Sequence, residues 1–226
     1  MEGRPDGLGD GDGTDVAPTG LAISDTDIDP WRNHPLPENL GGPEYGRLLE
    51  AFRLLQDRFS GACPPDDEVG VIADQIVALA ERFLPWQAPE RQTAAGTRLD
   101  LPGRGSPLLL PFVVDEWTDD RVRGRVTFRR FHLGGHGAAH GGTVPLLFDE
   151  VLGRLANSGD RPIARTAYLT VNYRYITRVG IEHQLEAEVR RIAGRKRWVT
   201  GRMKNPAGTT VADAEGLFVQ LRPGQP

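Results

Sequence analysis

Cysteine is almost absent from this 226-residue sequence. Cys63 stands alone, so an intrachain disulfide and a cysteine zinc cluster are both excluded, and the chain fits a reducing cytoplasm. As a lone thiol it is expected to be buried. Lysine is nearly missing too: Lys196 and Lys204 are the only two among 27 basic residues, so arginine carries the positive charge. No apolar run approaches the ~20 residues a bilayer span needs, since the longest, around Leu108 to Val114, is broken by Pro111. The start lacks a basic segment followed by an apolar stretch, and its acids argue against a transit peptide. No basic run with interleaved aromatics suggests nucleic acid as a partner.

Much of the net charge of −4 sits at one end. Residues 1–30 hold eight acids against Arg4 alone, a balance of −7 that leaves +3 on the rest, a mildly basic body suited to an anionic small molecule. From Met1 to about Leu40, Gly, Asp, Pro and Thr dominate without any period, a composition that cannot bury a core and reads as a disordered leader. Two helical periods follow. Tyr45, Leu48, Leu49, Phe52, Leu55 and Phe59 form one stripe, and Val69, Ile72, Ile76, Ala80, Phe83 and Leu84 form another after the Pro64-Pro65 break. They predict a helical N-terminal extension with its linker over 41–104, an appendage to a main domain over 105–223.

Past Pro107 the period becomes two. Val122, Val126 and Phe128 alternate with arginines, and Ala167, Leu169, Val171, Tyr173 and Tyr175 alternate with Thr166, Tyr168, Thr170, Asn172 and Arg174. Further strands fit Leu185–Ile192, Arg197–Lys204 and Thr209–Leu221, with connections short enough to require antiparallel neighbours. One helix, about Thr143 to Asn157, interrupts them, with Val144, Leu147, Phe148, Val151, Leu152 and Leu155 on a single stripe. The class is therefore α+β.

The segment His136-Gly137-Ala138-Ala139-His140-Gly141-Gly142 runs directly into that helix. A helix start exposes N–H groups that attract negative charge, including an oxyanion formed during reaction, which makes Gly141 and Gly142 candidate donors. A tight glycine turn ahead of a core helix explains the same residues equally simply. Asp149 falls at the edge of the apolar stripe beside the small residues Gly142, Pro145, Gly153 and Ala156, which leaves room for a ligand; alone it also reads as an ordinary surface aspartate. Glu150 points to the polar face four residues before Arg154, as an exposed i,i+4 pair. Seven residues separate Gly142 from Asp149, about 10 Å of helix rise, too far for one thioester carbonyl to touch both. Two antiparallel helices across a two-fold axis would bring the glycines of one subunit to the aspartate of the other. His132, His136 and His140 recur at i, i+4, i+8, but intervening glycines oppose the helix that a shared metal would need.

Taken together, His140-Gly141-Gly142, Asp149 nine positions after His140, the strand carrying Thr166 and Asn172-Tyr173-Arg174, and Gly194-Arg195-Lys196 resemble the hotdog-fold thioesterases. The likeness is to the PaaI-like branch that includes the mammalian acyl-CoA thioesterases with long N-terminal extensions, and it spans roughly Pro107 to Leu221. It implies a hotdog fold, a curved antiparallel sheet wrapped around the central helix, pairing into homodimers and often homotetramers as dimers of dimers. It also implies hydrolysis of acyl-CoA at the dimer interface with no metal or organic cofactor. By the same resemblance, Asp149 is the general base or nucleophile, Gly141 and Gly142 the oxyanion donors, and Thr166 the hydroxyl that positions water or the carboxylate. His136 or His140 substitutes as a donor, with bracing of the loop the favoured role of His140, and Asn172, Arg174, Arg195 and Lys196 face the CoA moiety. Many relatives carry asparagine where this chain has Gly134, so a side-chain donor to the thioester oxygen is missing. That departure motivates an alternative, a hotdog module that binds acyl-CoA without turnover. A hydratase is disfavoured because the helix start lacks a paired Asp and His.

Overall fold

The computed structural model describes residues 40–224; the acidic leader expected over 1–40 lies, but for Leu40, outside them. Two helices come first, α1 (Tyr45–Phe59) and α2 (Asp66–Glu81). After a meandering connection the chain forms β1 (Val113–Trp117), β2 (Arg121–Thr127), a small hairpin of β3 (Leu133–Gly135) and β4 (Ala138–Ala139), and helix α3 (Thr143–Ala156). Four long strands complete it: β5 (Ala164–Tyr173), β6 (Glu182–Ala193), β7 (Lys196–Lys204) and β8 (Thr210–Gln220). Six strands make one curved sheet in the order β1-β2-β6-β7-β8-β5, every neighbour antiparallel, with β1 and β5 at its edges.

The apolar stripe of α3 is what the sheet closes on. Val144, Leu147, Phe148, Val151, Leu152 and Leu155 are all at most 1% exposed, packed with Val122, Val126, Val199, Met203 and Phe218 from the strands. Each such side chain contributes roughly 1.5–3 kcal/mol relative to exposure. The last turn of α3 is held by the buried Arg197 of β7, whose guanidinium donates to the Ala156 and Pro162 carbonyls and to Asn157 Oδ1. A cation at a helix C-terminus is favoured by the dipole and satisfies carbonyls that have no partner within the helix.

The two N-terminal helices differ in how they are attached. α1 is fastened to the rest: Arg53, 3% exposed, donates to the Pro102 and Ser106 carbonyls, and Arg129 pairs with Glu50 at 2.8 Å and Asp57 at 2.6 Å. Burial by itself would raise the Glu50 pKa, but hydrogen bonds from Arg53 and Arg129 hold it below the ordinary carboxylate value. By contrast α2 buries no residue, and Val69, Ile72, Ile76 and Phe83 of its predicted stripe are exposed. Cys63 is exposed rather than buried, because it lies in the two-proline link between α1 and α2, where no element packs over it. No helix among the described residues is long and apolar enough to cross a membrane.

His183 on β6 is 1% exposed, set edge-on to Phe128 and with Nδ1 2.9 Å from the Ile181 carbonyl. Burial pushes its imidazole pKa down, only partly offset by that carbonyl, and burial does the same to His132. Both rings are therefore neutral in the fold, while the unfolded chain takes up protons at the ordinary value of about 6.5. Their stabilisation is complete above about pH 6.5 and is lost as pH falls towards the depressed folded values. Thermal unfolding followed by circular dichroism is expected to show a midpoint that declines below that pH, and His183→Phe is expected to make the decline shallower.

Candidate active site

The hairpin β3–β4 delivers the chain to the start of α3. Its two-residue turn is His136-Gly137, both with positive φ (+49° and +77°), the backbone of the tight turn that suits twisted strands. His140, Gly141 and Gly142 beyond it are exposed and held by a small network. His140 Nδ1 accepts the Gly142 N–H at 3.0 Å, the His140 carbonyl accepts from Thr143 N–H and Oγ1, and Tyr173 on β5 donates its hydroxyl to the Gly141 carbonyl at 2.6 Å. His140 thus braces the loop. Among the described residues the Gly141 N–H has no partner, which leaves it as a donor for an anion at the helix start. Gly134 belongs to the same structure. A Cβ there would lie 2.7 Å from His140 Cα and 3.0 Å from His140 N, so a side chain at this position has no room.

About two turns on from Gly142, Asp149 is exposed on α3 and accepts a hydrogen bond from Thr166 Oγ1 at 3.0 Å. A break in alternation makes that contact possible. Strict period two would put Thr166 on the face opposite Leu169 and Val171, but the register of β5 against β8 shifts between Thr166 and Tyr168. Ala167 is the extra residue of this bulge, and it turns Thr166, paired with the buried Phe218, to the helix side that Leu169 and Val171 also occupy.

Asp149 and Thr166 line a cleft of about 790 Å³ together with Gly153, Arg154, Trp117, Arg104 and Glu150. Glu150 is not the exposed partner that its helix position predicts. It is 12% exposed because the connection before β1 folds back over α3 and brings Arg104 within 2.7 Å, while Arg154 stands 4.0 Å away. The Arg154 guanidinium lies over the Trp117 ring, 4.5 Å from its centre, and Trp117 donates to Ser158 Oγ. The Glu150–Arg154 spacing is visible in sequence; Arg104, 46 positions away, carries no such signal.

The remaining candidates lie elsewhere in the protomer. Asn172 and Arg174 are at the far end of β5 on the sheet face away from α3, where both hold Asp213 of β8, at 2.8 and 2.6 Å. The Arg174 hydrogen bond is the main reason the Asp213 pKa is lowered. Arg195 sits in the two-residue β6–β7 turn and Lys196 opens β7, paired with Val219 near the β5 start. Along β8 the two groups are six residues apart, roughly 20 Å. The chain therefore gathers Gly141, Gly142, Tyr173, Asn172 and Arg174 at one end of β5, and Asp149, Thr166, Arg195 and Lys196 at the other. Among the described residues no group of three or more His, Cys, Asp or Glu side chains could hold a metal ion.

Among solved structures, the chain is similar to a thioesterase superfamily protein, with 26% identity and a TM-score of 0.66 over 77% of this chain and 94% of that one. This chain has the hotdog fold and is similar to thioesterase superfamily proteins. Other hotdog matches include a Streptococcus mutans protein bound to acetyl-CoA, 20% identical with a TM-score of 0.47 over 50% of this chain and 90% of that one. A hypothetical thioesterase from Streptococcus pneumoniae with coenzyme A is 18% identical, with a TM-score of 0.45 over 48% of this chain and 86% of that one. No family model matches the sequence, and no curated protein does.

In this hotdog chain the loop before α3 is packed too closely for any residue larger than glycine at 134. Gly134→Ala is expected to lower stability by about 1–3 kcal/mol through overpacking against His140, read as a reduced denaturation midpoint with an unchanged denaturant slope. A neutral substitution there would contradict the packing described.

Proposed function

We propose that the chain is an acyl-CoA thioesterase of the PaaI-like branch, acting in the cytoplasm as a homodimer or a dimer of dimers. The observation that carries this reading is the Thr166–Asp149 hydrogen bond at the edge of the cleft. It fixes a carboxylate beside open space, which is what a base or nucleophile for a thioester requires. The second half of the machinery is the amide-rich start of α3, with the uncommitted Gly141 N–H and the Gly142 N–H, which exchanges His140 for the developing oxyanion.

These halves meet across a two-fold axis. β5 is an edge strand with most of its residues exposed, and antiparallel pairing of two β5 edges sets the Thr166 end of one protomer against the Tyr173 and Gly141 end of its twin. Two equivalent sites then form per dimer. Asp149 takes the proton of a water that attacks the thioester carbon, or attacks it directly; the oxyanion rests on the partner's amides, and collapse of the intermediate expels CoA as thiolate, leaving the free acid in the first route and, in the second, an acyl–Asp149 anhydride that water then hydrolyses to the acid and the restored carboxylate. Arg195 and Lys196, on the Asp149 side of one protomer, and Asn172 and Arg174, on the glycine side of the other, supply cationic and amide groups for the CoA phosphates and pantetheine. Arg174 and Asn172 give up part of their hold on Asp213 to do so.

One observation favours the second reading, a module that binds acyl-CoA without turnover: Gly134 leaves no room for a side-chain donor, and His140 occupies the Gly142 amide. A thiol-release assay across short, medium, long and aryl thioesters separates the two. The hydrolase reading expects release by the parent, a loss of about 10²–10⁴-fold in kcat for Asp149→Asn, and a smaller loss, about 5- to 10-fold, for Thr166→Val, which removes one hydrogen bond. Both variants are expected to keep the parent's oligomeric mass. Tight CoA binding without thiol release, or an Asp149→Asn variant as fast as the parent, contradicts it.

A further inference from the structure

The cleft beside Asp149 carries more charge than hydrolysis of a simple acyl chain would use. Its lining groups are Arg104 from the connection before β1, Asp149, Glu150 and Arg154 from α3, and Asp160, Arg161 and Arg165 from the loop and strand that follow. Four guanidinium groups thus face three carboxylates. Arg161 is committed to Asp120 and to the Asp119 and Leu155 carbonyls. Arg104 and Glu150 hold each other at 2.6 and 2.7 Å, yet Arg104 Nε and Glu150 Oε1 are buried and too poorly aligned to hydrogen-bond. Arg154 receives little from this pair, since its Nε stands 4.0 Å from the carboxylate that Arg104 occupies. It is 27% exposed, pressed on Trp117, and part of a cluster of two cations around one anion. A half-buried cation with an incomplete counter-charge gains from an anionic ligand group far more than an exposed one would.

Position along α3 then sets the ligand. Arg154 follows Asp149 by five residues, about 7.5 Å of helix rise, and both line the same open space. On the thioesterase reading, on which this inference rests, the scissile carbonyl sits at Asp149 and the acyl group extends into the cleft. We propose that this cleft selects acyl groups ending in a carboxylate a few methylenes from the thioester, with Arg154 binding that carboxylate: the substrate class is the monothioesters of short dicarboxylic acids. A long alkyl chain is disfavoured by the same wall, because it would bury the charged cluster against hydrocarbon with no partner.

The test compares succinyl-, glutaryl- and adipyl-CoA with butyryl-, valeryl- and hexanoyl-CoA, pairs matched in carbon number. The expected result is a kcat/KM ratio of about 10- to 100-fold in favour of the carboxylated member, falling by at least roughly tenfold in Arg154→Gln and partly kept in Arg154→Lys. Calorimetric binding of glutaryl- and valeryl-CoA to the Asp149→Asn protein gives a readout independent of turnover, and tighter glutaryl-CoA binding that Arg154→Gln abolishes is expected there. Equal or better handling of the neutral partners by rate and by affinity overturns the proposal while leaving a thioesterase standing. Preferential glutaryl-CoA binding with no hydrolysis of any thioester upholds the pocket and removes the hydrolase reading.

Discussion

A helix that is rigid enough to anchor a core is also a ruler. α3 advances about 1.5 Å per residue, so the amides at its start and the carboxylate of Asp149 stay about 10 Å apart however the surrounding loops move. The buried stripe that fixes the helix in the sheet also fixes this separation. Everything proposed about the site follows from it: neither end of β5 holds a complete set of reacting groups, and the exposed edge of that strand offers the route by which a second copy completes each end.

The local devices at the two ends are different in kind. At the glycine end the proposed functional group is the backbone itself, and its supports are His140, Thr143 and the Tyr173 hydroxyl, which between them use the His140 and Gly141 carbonyls and the Gly142 N–H. Packing there is tight enough that position 134 tolerates no side chain. At the carboxylate end the proposed functional group is a side chain, and its support is a threonine turned inward by a single extra residue in β5. Beside it the fold-back of the chain before β1 covers Glu150 with Arg104 and leaves Arg154 on Trp117 facing the cleft.

Much of this was legible in the sequence because it depends on period and spacing. The six-residue apolar stripe of α3 and the antiparallel strands with their short turns appear in the structure near the expected positions; a Thr166 hydroxyl serving Asp149 was implied only by the family resemblance, since strict alternation puts that threonine on the other face. What was not legible depends on tertiary contact. The bulge at Ala167 breaks an alternation that otherwise reads as regular, Arg104 reaches Glu150 from 46 residues away, and Arg197 reads as one more strand residue until the end of α3 is seen beside it. The amphipathic period of α2 predicts a covered face, but period gives a face and not its occupant; within the described residues that face is bare, and Cys63 next to it is exposed. Asn172 and Arg174 show the same limit: their residue types suit a phosphate ligand, while the structure gives them Asp213 as a present partner.

The composite site across two protomers is tested most directly by subunit mixing. Asp149→Asn and Gly141→Pro, each inactive as a homodimer, are co-expressed with different affinity tags and the mixed dimers assayed for thiol release. A site shared between protomers predicts recovery to about half of the parent rate per purified mixed dimer, because one of the two equivalent sites then has both a native Asp149 and a native Gly141. Mixed dimers as inactive as their parents would mean that each protomer works with its own carboxylate and its own amides, and the account given for this fold would be wrong.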